Sequence, residues 1–507
     1  MTYERETIVL HSLTPDLIPQ DAPAEAWNNG ENVLFRNMET IAANRDRAIF
    51  PQITAPPRAM AYVEPFDVGY WVIATNDNIW AHDGAAVHDI TPDGWAGSSD
   101  GAIFTGTVIN GLAVINSSER DPVWWDGVTS NKMQALPDWP AGGRCLAMRA
   151  HKNNLFAIGM VSENGARVRW SDSAEAGVIP PEWSPLASND AGFQDLAPEH
   201  TECLDGLTLR DDFLVYKRGS VYSFTFTGGP EIYAIRKTIS NVGVAETNAL
   251  TRGPDESHLF IGSDGDVHLS DGVQVRSVLD GRAQRGFYAV LSDTRGATYA
   301  AATLLREKLG VIAYPTGDST KADKAILYDF ATGDIGFREL PGVRCFGHGR
   351  MLEDVGQADD WDSDGDPWDV DLSAWNVEFT PVTTEDVLLG SSTDNTMLFF
   401  GADVAYPVSV EKQGLAFGNP QTHKLAVRVW PKIEGHTGDV VTFRIGAQEQ
   451  QGAPVRLSPP VDYVIGDPRP LDVFAAGRFL SFHVLSSDTS VWRLGSIDVE
   501  YRELGGW

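Results

Sequence analysis

Cysteine is scarce in this chain: three in 507 residues, Cys145, Cys203 and Cys345, far apart and in no CxxC pair. An odd, dispersed set builds no disulfide framework. It reads as three small buried hydrophobes in a reducing compartment. Basic residues are also scarce, with 39 Lys+Arg against 70 Asp+Glu and a formal charge of −31. That argues against a protein that grips nucleic acid through its phosphates, which needs a basic surface. No apolar run approaches the ~18 residues of a membrane span, so no membrane anchor is expected. The opening Met1-Thr2-Tyr3-Glu4-Arg5-Glu6 is charged and lacks an apolar stretch behind it, so no secretory leader is expected either. P-loop, HExxH, paired CxxC and strand-linked GxGxxG signatures are missing, and with them any ready-made catalytic constellation.

Hydrophobic residues, by contrast, make up 42% of the chain, too many for a disordered polymer. The length suits two to four domains, or one repeat architecture with an addition. The 49 glycines and 29 prolines imply many turns, and 15 Trp with 22 Phe favour strands. Helical candidates are short: 21–28, 282–291 and 303–308.

Seven units of apolar strand, polar turn and second strand recur. The first is Trp71-Val72-Ile73-Ala74 followed by Ile79-Trp80-Ala81-His82. The fifth is Leu259-Phe260-Ile261 followed by Val267-His268-Leu269-Ser270. Positions 72, 112, 155, 213, 259, 311 and 387 mark their starts, with spacings of 40, 43, 58, 46, 52 and 76. Periods of about 40–50 residues signal propeller blades, small sheets that bury their faces only by stacking. Unrelated hairpins in sandwiches are the bland alternative. The expectation is an all-β chain: a β-propeller of six or seven blades over 57–404, a C-terminal β-sandwich over 405–507, and an extended N-terminal arm over 1–56 that packs on another domain or subunit. The sandwich is expected from half-alternating strands such as Val440-Val441-Thr442-Phe443-Arg444-Ile445.

An acidic insert, 353–371, interrupts the last repeat. Within it Asp360, Asp362, Asp364, Asp366 and Asp371 fit a D-x-D-x-D-G loop with a carboxylate at position 12, and Gly365 at the sharp turn. Such oxygens could converge on Ca²⁺. Against this, Asp371 is shorter than the usual Glu, Pro367 stands at position 8 and no helices flank the loop; a solvated acidic loop is the simpler reading. Gly97-Ser98-Ser99-Asp100-Gly101 matches G-x-S-x-G but sits between a turn and a strand, unlike a nucleophile elbow. Ser188-Asn189-Asp190-Ala191-Gly192 is like one sialidase Asp-box turn without its Trp. His82 and His268, at strand ends, read as polar tips.

Two terminal stretches resemble a known family. They are Pro15-Asp16-Leu17-Ile18-Pro19 with Ala22-Pro23-Ala24-Glu25-Ala26-Trp27 and Glu31-Asn32-Val33-Leu34-Phe35-Arg36, and Gly477-Arg478-Phe479-Leu480-Ser481-Phe482 with Trp492-Arg493-Leu494-Gly495-Ser496-Ile497-Asp498-Val499-Glu500-Tyr501. In that order they resemble the ends of bacteriophage tail nozzle proteins of short-tailed, podovirus-type phages, also called tail tubular or packaged-DNA-stabilising proteins. The resemblance implies a virion tail protein made in the host cytoplasm. It implies a non-enzymatic homo-hexameric ring below the portal and adaptor proteins, supporting tail fibres or a needle, through which DNA is ejected without specific binding. The acidic insert departs from that pattern. A net negative wall would let a polyanion slide without sticking. The competing expectations are a monomeric propeller module binding glycan or protein, and a propeller hydrolase, for which no clustered acid pair is visible.

Overall fold

The computed structural model describes residues 3–48, 53–350 and 385–505, apart from positions 20, 85, 96, 197–200, 230, 293, 295–297, 392–394 and 488. Strands dominate it, and the architecture is a β-propeller with a β-sandwich beside it.

Blades one to five are separate four-stranded antiparallel sheets, each running in chain order from axis to rim. Their inner strands are Ala59–Val63, Phe104–Ile109, Cys145–His151, Cys203–Leu209 and Leu250–Arg252. Blade six comprises Ala300–Leu304, Leu309–Tyr314, Ala322–Asp329 and the first half of the long strand Ile335–Arg350. The register shifts within that strand, and its second half pairs instead with Glu385–Ser391. That second half becomes the inner strand of blade seven. Met397–Ala405 follows, and the outermost place is taken by Asn44–Ala48, from the other end of the chain. Blade seven is therefore closed by an N-terminal strand.

Apolar clusters fill the seams between blades, and one of them runs without a break through blades four, five and six. Ala74, Ile79, Ala102 and Ile115 lie between blades one and two. Met60, Trp71, Cys345 and Met397 lie between blades one and seven and complete the circle. At that last seam the Trp71 indole lies on Gly347 and Gly349. A Cβ at Gly349 would sit 2.5 Å from the ring, so only glycine admits it. The three cysteines are free and buried on inner strands, and burial pushes their thiols up.

The sandwich draws on both chain ends. In one sheet Arg493–Gly505 lies between His423–Glu434 on one side and Glu4–Ile8 with Glu39–Ala42 on the other; Leu471–Gly477 forms the far edge. The other sheet orders Val440–Gln448, Phe479–Ser486, Val408–Leu415 and Asn29–Glu31. Trp27, Phe443, Phe482, Trp492 and Val499 fill the space between, with at most 1% of each exposed.

The 1–56 stretch is thus woven into both units rather than laid out as an arm. Glu4–Ile8 and Asn29–Glu31 serve the sandwich, Val33–Arg36 reaches blade six through Val33 opposite Phe337, and Asn44–Ala48 closes blade seven. Its closing strand is fixed by Asp46, which takes two 2.7 Å hydrogen bonds from the Arg338 guanidinium and a third from the Tyr406 hydroxyl. Both members of the pair are buried. Burial raises the Asp46 carboxyl, with Arg338 pulling the other way. Of the three helical candidates, only the middle one forms, as Gln284–Val290. The first is a turn leading into Ala26–Trp27, whose helix propensity yields to burial of Trp27; the third is the end of Ala300–Leu304 and a turn.

Candidate functional site: the propeller axis

All seven inner strands converge on the axis. Small residues such as Ala59, Ala61, Gly106 and Ala301 line it together with larger ones such as Arg149, Leu207, Phe346 and His348, and the open part encloses about 710 Å³. Small residues leave strand edges near the axis, so their backbone groups need partners. Thr105 and Thr107 of blade two supply some, accepting from the Met148 and Ala150 amides of blade three at 3.0 and 3.1 Å.

A polar plug crosses the axis. Arg149 of blade three makes a two-pronged ion pair with Asp205 of blade four, both bonds 2.8 Å, and donates to the Asn248 side-chain oxygen at 2.8 Å. Asn248, just before blade five, donates across to the Phe104 carbonyl of blade two at 2.9 Å. Asp205 is fully buried. Burial alone would push the Arg149 guanidinium down; the Asp205 charge and hydrogen bonds more than offset it and hold it above its ordinary value. Four blades are bound through this one cluster. Beyond the plug lies a smaller compartment of about 120 Å³, walled by Arg58, Tyr299, Glu246 and Arg344.

The residues singled out by sequence fall elsewhere. Asp360, Asp362, Asp364, Asp366 and Asp371 lie outside the described residues, in the insert joining the first two strands of blade seven. Among the described residues no group of three or more His, Cys, Asp or Glu could hold a metal. Ser99 sits in the turn between blades one and two. Its hydroxyl and amide both bond Glu119, whose carboxyl those bonds hold down; the Ser99 hydroxyl is thus a donor in a turn. Asp190 lies in a turn held by the Asp172 carboxylate, which accepts its amide at 2.9 Å. His268 faces Asp264 across its own hairpin at 2.9 Å, and His82 accepts the Gly84 amide at 2.9 Å. The axial cluster was invisible in sequence, because Arg149, Asp205 and Asn248 belong to three different repeats, the first two on inner strands and the third in the turn before one.

No protein-family model and no curated sequence matches the chain. Among solved structures, Raptor from Chaetomium thermophilum aligns at 12% identity and a TM-score of 0.43, over 72% of this chain and 29% of Raptor. The chain thus spans under a third of that protein's length. Sqt1 from Saccharomyces cerevisiae aligns at 10% identity and a TM-score of 0.40, over 71% of this chain and 99% of Sqt1. A chain of the mitotic checkpoint complex aligns at 9% identity and a TM-score of 0.37, over 60% of this chain and 88% of its own. The assignment of the propeller rests on the strand registers themselves.

Proposed function

We propose that this chain is a structural subunit of a short-tailed phage tail, one copy of a closed homo-hexameric nozzle ring below the portal and adaptor that supports fibres or a needle. The observation that carries the reading is where the two family-like stretches go. Lying at opposite ends of the chain, they share one core: Trp27, Val33 and Phe35 of the first pack in the same apolar cluster as Leu480, Phe482, Trp492 and Leu494 of the second, and the adjoining Ala42 donates to the Trp492 carbonyl at 2.9 Å. Selection for one rigid building block explains such a join. The Arg149–Asp205–Asn248 plug bars a polymer from the propeller's own axis, so the passage in this reading runs between copies, along outer surfaces of an acidic chain. Phe474, 74% exposed on the edge strand Leu471–Gly477, is the kind of apolar edge that a ring contact covers. The test is electron microscopy of the purified chain, alone and with a portal–adaptor complex. A closed ring with its hole between subunits supports the nozzle; separate particles under both conditions contradict it.

A second reading is favoured by the open 710 Å³ axial compartment. A propeller fits a binding module for glycan or protein, and a monomer that retains a glycan at this end would favour that role.

A further inference from the structure

Two arginines at the narrow end of the axis keep guanidinium donors that the fold leaves unmet. Arg58 precedes the inner strand of blade one, Arg344 lies on that of blade seven, and both wall the 120 Å³ compartment. Arg58 is 9% exposed. Its Nη2 donates to the Asp100 carbonyl at 3.0 Å and to the Ala102 carbonyl, while its Nη1 is buried with no hydrogen-bond partner among the described residues. The Arg344 side chain is 11% exposed, and its Nε is likewise buried and unpartnered. Its ion pair with Asp100 spans 3.9 Å, too long for a hydrogen bond, and reaches a side chain that is 86% exposed. Burial pushes the Arg344 guanidinium down. Glu246, on the same wall, is engaged with Arg218 at 2.8 Å. Other buried arginines also keep an unmet nitrogen but have a close carboxylate: Asp46 for Arg338 and Glu163 for Arg169, as Asp205 is for Arg149. Leaving buried guanidinium donors unmet is costly, and an oxyanion is the partner that meets them best.

We propose that this compartment is an oxyanion site, taking one small anion, inorganic phosphate or a carboxylate, between Arg58 and Arg344. The inference is independent of the tail reading, since it rests on the axis of a single chain. The test is calorimetry on the full chain in chloride buffer at constant ionic strength, titrating inorganic phosphate and acetate separately. Wild type binds at least one of them at a single site, and the one that binds assigns the tetrahedral or the planar class. Arg344→Gln weakens that binding about tenfold or more, the loss of a charge-assisted pair. Asp100→Asn, a change to an exposed competing carboxylate that leaves the fold intact, tightens it. No binding of either anion by wild type overturns the proposal. So does Arg344→Gln, folded by circular dichroism, binding as wild type does. Should Arg344→Gln not fold, Asp100→Asn decides: tighter binding supports the site and unchanged binding overturns it.

Discussion

Blades one to six pair strands that follow one another along the chain, whereas the sandwich pairs Glu4 with Tyr501 and Ile8 with Ile497. A blade pairs strands that are neighbours in sequence, so its entropic cost is met locally. The sandwich, by contrast, waits for both ends of a 507-residue chain. Blade seven belongs with the sandwich in this respect, because Asn44–Ala48 must return to Met397–Ala405. The difference teaches where the molecule is held together. The chain ends act as a clasp that closes the ring and joins it to its neighbour, and damage there should reach both units.

The sharpest way to break that comparison is at the clasp. Asp46→Ala strands the fully buried Arg338 charge and should cost about 3–5 kcal/mol in denaturant unfolding. Equal stability of mutant and wild type would show that the closing strand holds nothing.

Acid comes next and should strike the propeller. His258 bridges blades four and five in neutral form, its Nδ1 accepting from the Tyr216 hydroxyl and its Nε2–H donating to the Thr208 carbonyl. Burial lowers its pKa to about 4, and that of His151 to about 4 as well. Both values lie below the unfolded 6.5, so the native state resists protonation. The stability they contribute is complete above pH 6.5 and is lost as pH falls towards 4, at about 3 kcal/mol each. Unfolding curves from pH 7 to 4 should show the loss, and His258→Phe should remove about half of it, leaving the His151 share; a pH dependence unchanged by that substitution would refute the assignment.

The smallest effect belongs to the sandwich surface. Arg5 pairs with Asp498 at 2.6 Å but is half exposed, and Asp498 keeps Thr7 and Lys432 as partners. Arg5→Ala should cost about 0–1 kcal/mol in the same unfolding assay. A loss comparable to that of Asp46→Ala would mean the contrast between clasp and surface is misplaced.

What the sequence made legible follows from how blades are buried. Positions 72, 112, 155, 213, 259, 311 and 387 all fall in the second strand of their blade, and the partner of each unit is the third. Middle strands are covered on both faces and must be apolar, so their pattern stands out. Inner strands such as Phe104-Thr105-Gly106-Thr107-Val108 or Ala300-Ala301-Ala302 face the axis, where polar and small residues break up the apolar pattern. Outer strands such as Gln134–Ala135 are exposed and short. Asn44-Arg45-Asp46-Arg47-Ala48 reads as a polar loop, because its strand character comes from a partner more than 350 residues away. The axial plug and the Arg58–Arg344 compartment were hidden for the same reason: each joins residues that only ring closure brings together.

Differential scanning calorimetry of the full chain beside a chain lacking residues 1–48 tests the clasp most directly. Full-length protein should melt in one cooperative transition at the higher temperature; the shortened chain should melt earlier, with propeller and sandwich unfolding apart. If removal of those residues leaves both the temperature and the single transition unchanged, the chain ends do not hold the molecule together.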